Sequence, residues 1–355
     1  MAHDGDHGGA RCAVVPPHII EALARSDSAG QREAAIVTLA ADATLRQARL
    51  IAQIAAARRE VAPPSVGPLR KHRRIYAAEH GSALPGVPVR DEGQPATDDA
   101  AVNEAYDGLG ATWDLYADVY RRNSIDDAGM DLVASVHYLR DYDNAQWNGR
   151  QMLFGDGDGT VFNRFTIAID VIGHELTHGV TAATANLTYA DQPGALNESV
   201  SDVFGSLVKQ HGRRQTADAA DWLIGEGLFT ANIDGVALRS MKAPGTAYDD
   251  PQLGKDPQPG HMDGFVTTAS DNGGVHINSG IPNHAFYLAA IGFGGFAWER
   301  AGRVWYETLR DPQLDADAQF ADFARLTAAN ALRLFGAEAQ RVVTDAWEQV
   351  GVAVR

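Results

Sequence analysis

His174-Glu175-Leu176-Thr177-His178 lies inside residues 162–184, a single amphipathic apolar stretch. On a helix, residues four apart share a face, so both imidazoles can reach one metal ion while Glu175 points at its open coordination position. A buried core helix with two hydrogen-bonded histidines carries the same pattern, so more than the pentad is needed. Zinc takes a third protein ligand and keeps one position for water. Gly194-Ala195-Leu196-Asn197-Glu198-Ser199-Val200-Ser201-Asp202 supplies Glu198, 20 residues past His178, which leaves room for one helix to end and another to return beside it. Asp202 falls one turn beyond Glu198 on the same face, placed to accept the free N–H of His174 and fix its tautomer. A solvated acidic face is the competing reading of this second helix. It is weakened by the apolar Leu196, Val200 and Val203 around the two acids.

The rest of the chain bounds what such a site could serve. With 355 residues it can bury a large core and split into two or three units. A formal charge of −16 argues against nucleic acid or anionic membrane as a partner. Cys12 is the only cysteine, so no internal disulfide forms. No run of roughly 7–15 apolar residues follows a basic start at the N-terminus, and none of roughly 18 occurs anywhere. The expected location is therefore cytoplasmic, or exported without a recognisable signal, with secretion left open.

Residues 1–10 are polar and rich in His and Gly. A short apolar segment, His18 to Ala24, follows Pro16-Pro17, and an Ala-rich stretch from Gln31 to Arg59 places Ile36, Leu39, Ala43, Leu50 and Ile54 at helical spacing. Ala62-Pro63-Pro64-Ser65-Val66-Gly67-Pro68 cannot continue a helix. Residues 1 to about 68 thus read as a small helical module on a stiff linker, followed by an exposed basic cluster, Arg70, Lys71, Arg73 and Arg74. From Ile75 to Gly159 the chain is rich in turns, with a strand at Leu132–Tyr138. Gly155-Asp156-Gly157-Asp158-Gly159 lacks the rest of a calcium-binding EF-hand loop and reads as a turn. Helical patterns dominate from Ala195 onward: Glu198–Gln210, His284–Ile291, Arg303–Leu309, Asp322–Leu334 and Ala337–Val350.

Three further blocks make the pattern specific. The stretch from Gly194 to Asp202, Asn144-Ala145-Gln146-Trp147-Asn148-Gly149, and Asp271-Asn272-Gly273-Gly274-Val275-His276-Ile277-Asn278-Ser279-Gly280 occur in the order found in the thermolysin family of metallopeptidases. The chain resembles that family over about residues 70–355. The resemblance implies an α+β fold, in which a β-rich N-terminal domain (71–184, including the active-site helix) is joined to a mainly helical one (185–355). It implies one catalytic zinc held by His174, His178 and Glu198, supported by Asp202 and Asn197, with Glu175 as general base. Tyr189 and His276 would donate to the oxyanion, and Asp271 would orient His276. Asn144 and Ala145 would take the substrate backbone as an added strand, and Arg239 a peptide carbonyl. Phe165, Val171, Ile224, Leu228 and Leu238 would line an apolar pocket, implying cleavage before hydrophobic residues, with Phe165 narrowing it.

The chain also departs from the family. Asp170, Asp221 and Glu226 match part of a double calcium site, but Lys209 and Leu223 stand where carboxylates are expected. An ammonium cannot ligate calcium, so Lys209 is expected to replace the ion by pairing with Asp170, Asp221 and Glu226. A double-glycine hinge before the central helix is replaced by Ile167-Ala168. Residues 1–70 resemble the short propeptide of protealysin-like members through Cys12-Ala13-Val14-Val15-Pro16-Pro17-His18. That implies an inhibitory module over the cleft, removed within or near the Pro63–Arg74 linker, with Cys12 either packed under the proline turn or capping the zinc. The expected partners are protein or peptide substrates and the chain's own propeptide, on a monomer. The alternatives are an aminopeptidase of the same metal motif and an inactive, zinc-stabilised interaction module. The latter would be expected to have lost Glu175, Tyr189 or His276.

Overall fold

A computed structural model describes residues 13–56 and 69–354. Cys12, residues 1–10 and the proline stretch Ala62–Pro68 lie outside the described residues.

The N-terminal module begins with α1 (Pro17–Leu23), where the prolines fall at the helix start and cost no hydrogen bond. It continues in α2 (Ala29–Ala56). Of the residues expected at helical spacing in α2, Leu39 packs partly against the core, and the side chains of Leu50 and Ile54 lie outside the described residues. Ile36 is 60% exposed, whereas Gln31, Ala34, Ala35, Thr38, Ala41 and Leu45 turn inward. The reason is polar: Thr38 Oγ1 accepts from the backbone N–H of Asp143 at 2.9 Å. The Asp42 carboxylate accepts from Tyr142 Oη at 2.6 Å and Asn144 Nδ2 at 3.0 Å. Helix orientation here follows hydrogen bonds as well as apolar residues.

A mixed sheet follows, ordered β2-β1-β3-β5-β4. It comprises β1 (Arg73–Ala77), β2 (Val87–Asp91), β3 (Leu132–Val136), β4 (Ala145–Trp147) and β5 (Met152–Phe154). β3 lies parallel to both β1 and β5. The basic cluster is not uniformly exposed. Arg73 is half-buried, donating to Glu92 at 2.7 Å from Nε and stacking 3.7 Å from the Tyr106 ring. The turn-rich reading of residues 75–159 missed α3 (Ala100–Asp114), capped by the Asp99 side chain. Gly108 and Gly110 weaken its helical signal, yet the packing requires them. A Cβ on Gly108 would stand 2.3 Å from Ile172 Cδ1, and one on Gly110 2.4 Å from Arg73 Nη1.

The central helix α4 (Ile169–Ala182) is buried along nearly its whole length. It packs on α5 (Asp191–Arg213), which starts earlier than the expected Glu198. Two glycines set their separation. A Cβ on Gly205 would lie 2.4 Å from the Asp170 carbonyl oxygen, and one on Gly173 3.0 Å from Gly205 Cα. The paired short strands β6 (Leu223–Ile224) and β7 (Arg239–Ser240) then lead to α6 (Asp271–Asn278). The helical remainder is α7 (Gly280–Phe293), α8 (Ala301–Leu309), α9 (Phe320–Phe335) and α10 (Ala337–Gln349), within a few residues of the expected bounds. One apolar cluster runs from Val14 through α4 and α5 to Val352, so the N-terminal module shares the core of the rest.

Candidate active site

Helix α4 presents His174, Glu175 and His178, all buried, toward Glu198 on α5. The Nε2 atoms of His174 and His178 are 3.1 Å apart. Glu198 Oε2 lies 3.5 Å from His174 Nε2, and Oε1 lies 3.4 Å from His178 Nε2. A tetrahedral ion with bonds near 2.0–2.2 Å separates its ligand atoms by about 3.3 Å, which these distances match.

The groups behind the imidazoles say why the site fits a cation. His174 Nδ1 lies 2.8 Å from Asp202 Oδ1, and His178 Nδ1 lies 2.9 Å from Asn197 Oδ1 and 3.0 Å from Ser201 Oγ. Those acceptors draw each ring proton to Nδ1, so two Nε2 lone pairs face one another. Glu198 Oε2 is buried beside them without a hydrogen-bond donor. Lone pairs and a carboxylate in such contact repel unless a positive ion lies between them, and this donor set suits zinc.

Asp202 anchors a wider network. It receives Arg239 Nε and Nη2, each at 2.8 Å, and Asn283 Nδ2 at 2.8 Å. Burial alone would raise its pKa, but the Arg239 guanidinium and His174 hold it well below the carboxylate range. Glu175 Oε2 accepts the backbone N–H of Trp147 at 2.8 Å, which orients that carboxylate from β4. His276 is held twice by Asp271, through its backbone N–H at 2.9 Å and its ring Nδ1 at 2.6 Å. Burial opposes its charge, but Asp271 and Glu198 lift its pKa to about 9. Tyr189 Oη donates to Glu198 Oε1 and stands 3.4 Å from His276 Nε2.

Residues 13–15 of the N-terminal module run through this site. Val14 N–H donates to the Ala145 carbonyl at 3.3 Å, and Val15 N–H to Asn144 Oδ1 at 3.0 Å. Arg239 Nη1 donates to the Val14 carbonyl at 2.9 Å, and the Ala13 carbonyl lies 3.2 Å from His276 Nε2. Phe165, Val171, Ile224, Leu228 and Leu238 are buried in the same apolar cluster as Val14 and Val15. His18, between Pro17 and the rest of α1, places Nε2 2.8 Å from Tyr248 Oη.

Lys209 is 3% exposed, with Nζ 2.9 Å from Asp170 Oδ2, 2.8 Å from Asp221 Oδ1 and 2.7 Å from the Leu223 carbonyl. Burial disfavours its charge, yet the two carboxylates raise its pKa. The expected pairing with Glu226 is not formed. Glu226 lies on the exposed rim, 3.8 Å from Arg213 Nη1, and the Leu223 carbonyl takes its place around the ammonium.

Sequence reasoning did not find Trp147, Ser201, Asn283, Thr38 or Asp42 as parts of this site. Gly173 and Gly205 carried a signal, since glycine inside a helix often marks close approach. The remaining groups act through backbone atoms or from distant segments.

Comparison with known proteins follows the same outline. Residues 71–182 match the family model described as thermolysin metallopeptidase, catalytic domain, and residues 185–352 the one described as thermolysin metallopeptidase, alpha-helical domain. An extracellular metalloprotease of Pectobacterium carotovorum is 51% identical, covering 97% of each chain. A thermolysin of Alicyclobacillus acidocaldarius is 39% identical over 78% of this chain and 50% of its own. The solved precursor of protealysin, a metalloproteinase from Serratia proteamaculans, is 53% identical with a TM-score of 0.87, covering 96% of this chain and 99% of that one.

Proposed function

This chain belongs to the thermolysin family of metallopeptidases, and from that premise we propose that it is a latent zinc endopeptidase blocked by its own N-terminal segment. One observation carries the reading. The groups expected to bind a substrate backbone, Asn144, Ala145 and Arg239, and the expected oxyanion donor His276 each contact a backbone atom of Ala13, Val14 or Val15. The Ala13 carbonyl takes the position of the carbonyl to be attacked, and Val14 follows it on the leaving side.

His174, His178 and Glu198 would hold the zinc, which when bound supplies Lewis acidity to acidify a water and polarise the scissile carbonyl. Glu175, oriented by the Trp147 N–H, takes the proton from the attacking water and passes it to the leaving amine. His276, fixed by Asp271, and Tyr189, once turned from Glu198, donate to the developing oxyanion, each donor contributing about 2.7–4 kcal/mol. Arg239 is held rigid by Asp202 and positions the carbonyl beyond the cleaved bond. Val14 is 0% exposed within the apolar cluster of Phe165, Val171, Ile224, Leu228 and Leu238, which supports cleavage before aliphatic residues.

Latency ends when residues 1–70 are removed within or near the Pro63–Arg74 linker. Among the described residues no helix is long and apolar enough to cross a membrane. Relatives described as extracellular support action on proteins outside the cell. Casein and a blocked Gly-Leu dipeptide, assayed after removal of the segment, test the assignment. Wild type should hydrolyse both, and Glu175→Ala should lose about 10²–10⁴-fold or more. Equal inertness of the two proteins would contradict it.

A further inference from the structure

The turn at Gly155–Gly159 is only half explained by its own geometry. Asp158 closes it, with Oδ1 accepting from the N–H groups of Thr160, Val161 and Phe162 at 2.8, 2.7 and 3.1 Å. Asp156 takes no part in that. Its two oxygens each lie 2.9 Å from His137 Nδ1, and Oδ2 also lies 3.5 Å from His80 Nδ1.

The sheet brings the two histidines together. His80 follows β1 and His137 follows β3, parallel neighbours whose last register pair is Ala77 with Val136. The His80 N–H donates to the His137 carbonyl at 2.8 Å, and both residues adopt left-handed backbone, φ 58° and 54°. One donor atom from each of His80, His137 and Asp156 lies within 4.8 Å of the other two. Among the described residues only one other group of this kind occurs, the site of His174, His178 and Glu198.

We propose that His80, His137 and Asp156 bind a second divalent transition-metal ion, separate from the catalytic one. His137 Nε2 lies 2.8 Å from Asp99 Oδ2, the same carboxylate–imidazole arrangement by which Asp202 supports His174. Asp99 would keep the ring proton on Nε2, and the ion would displace the Nδ1 proton that Asp156 now accepts. The present separations of 2.9 and 3.5 Å bracket the roughly 3.3 Å edge of a tetrahedral zinc site. The His80 side chain is 43% exposed, and its Nδ1 would exchange a 3.3 Å contact with the Leu139 carbonyl for the ion as it closes the remaining distance. A cavity of about 400 Å³, lined in part by Asp99, His137, Asp156 and Asn163, leaves room for a water as fourth ligand. Two imidazoles and one carboxylate favour zinc, cobalt or nickel over calcium and magnesium. The ion would tie the ends of β1 and β3 to the loop after β5, and through Asp99 to the start of α3.

The test uses the full chain carrying Glu175→Ala, so that self-cleavage does not occur. It is stripped of metal, reloaded with cobalt(II), and its bound metal measured after equilibrium dialysis. The further substitution His80→Ala, or Asp156→Asn should the first fail to fold, is expected to lower the bound metal by one equivalent. It should also abolish one set of cobalt absorption bands. Residues elsewhere, including His3 and His7 near the N-terminus, contribute equally to both proteins. Equal metal content and equal spectra in parent and variant would overturn the proposal.

Discussion

Arg239 Nη1 donates to the carbonyl of Val14 at 2.9 Å while the rest of its guanidinium is fixed by Asp202. One buried cation thus joins the N-terminal segment to the residue behind His174. Lysine keeps the charge but cannot reproduce the paired contacts, and the weakened hydrogen bonding of buried Asp202 costs about 1–3 kcal/mol. Arg239→Lys in the full chain carrying Glu175→Ala, where self-cleavage does not interfere, is expected to melt several degrees lower and to exchange the backbone hydrogens of Val14 and Val15 faster. An unchanged melting curve and unchanged exchange would show that the contact contributes nothing.

His18 makes that attachment sensitive to acid. Burial lowers its pKa to about 4, only partly opposed by Asp271. The docked segment therefore requires neutral imidazole, whereas the released one titrates near 6.5. The stabilising contribution is complete above about pH 6.5 and shrinks as pH falls toward 4, by about 2 kcal/mol at pH 5. Hydrogen exchange of residues 13–45 in the Glu175→Ala chain, corrected for intrinsic rates, should rise between pH 7.5 and 5. His18→Phe should flatten that rise, and an equal rise in both chains counts against His18.

We expect Lys209 to make this region independent of calcium, as its contacts with Asp170 and Asp221 suggest. Micromolar calcium should leave the wild-type melting temperature unchanged, and Lys209→Ala should cost about 3–5 kcal/mol by exposing a buried, uncompensated carboxylate. A large calcium-induced rise in the wild type would rule this out.

Gly205 sets the approach of α5 to α4, with no room for a methyl against the Asp170 carbonyl. Gly205→Ala should push Glu198 away from the two histidines and cost about 1–3 kcal/mol. Metal retention on dialysis against a weak chelator should fall at least tenfold, about 1.4 kcal/mol. Full retention would show that the helices tolerate the change.

The parts legible from sequence are those that depend on local spacing. His174, His178, Glu198 and Asp202 lie on two helices whose periodicity fixes their faces. Arg239 and His276 are brought in from distant segments, so their roles came only through resemblance. Helix α3 was hidden by Gly108 and Gly110, whose reason is the neighbouring Ile172 and Arg73. Thr38 and Asp42 were hidden by chemistry, since polar residues on an Ala-rich helix read as a solvated face until Tyr142 and Asn144 are seen beneath them.

Intact mass of the purified full-length chain, followed over time beside Glu175→Ala, tests the central claim most directly. A self-blocked zinc endopeptidase should convert to a shorter species beginning within or near Pro63–Arg74, while Glu175→Ala stays whole. Loss of the same fragment from both at the same rate, or from neither under conditions that release the segment, would contradict it.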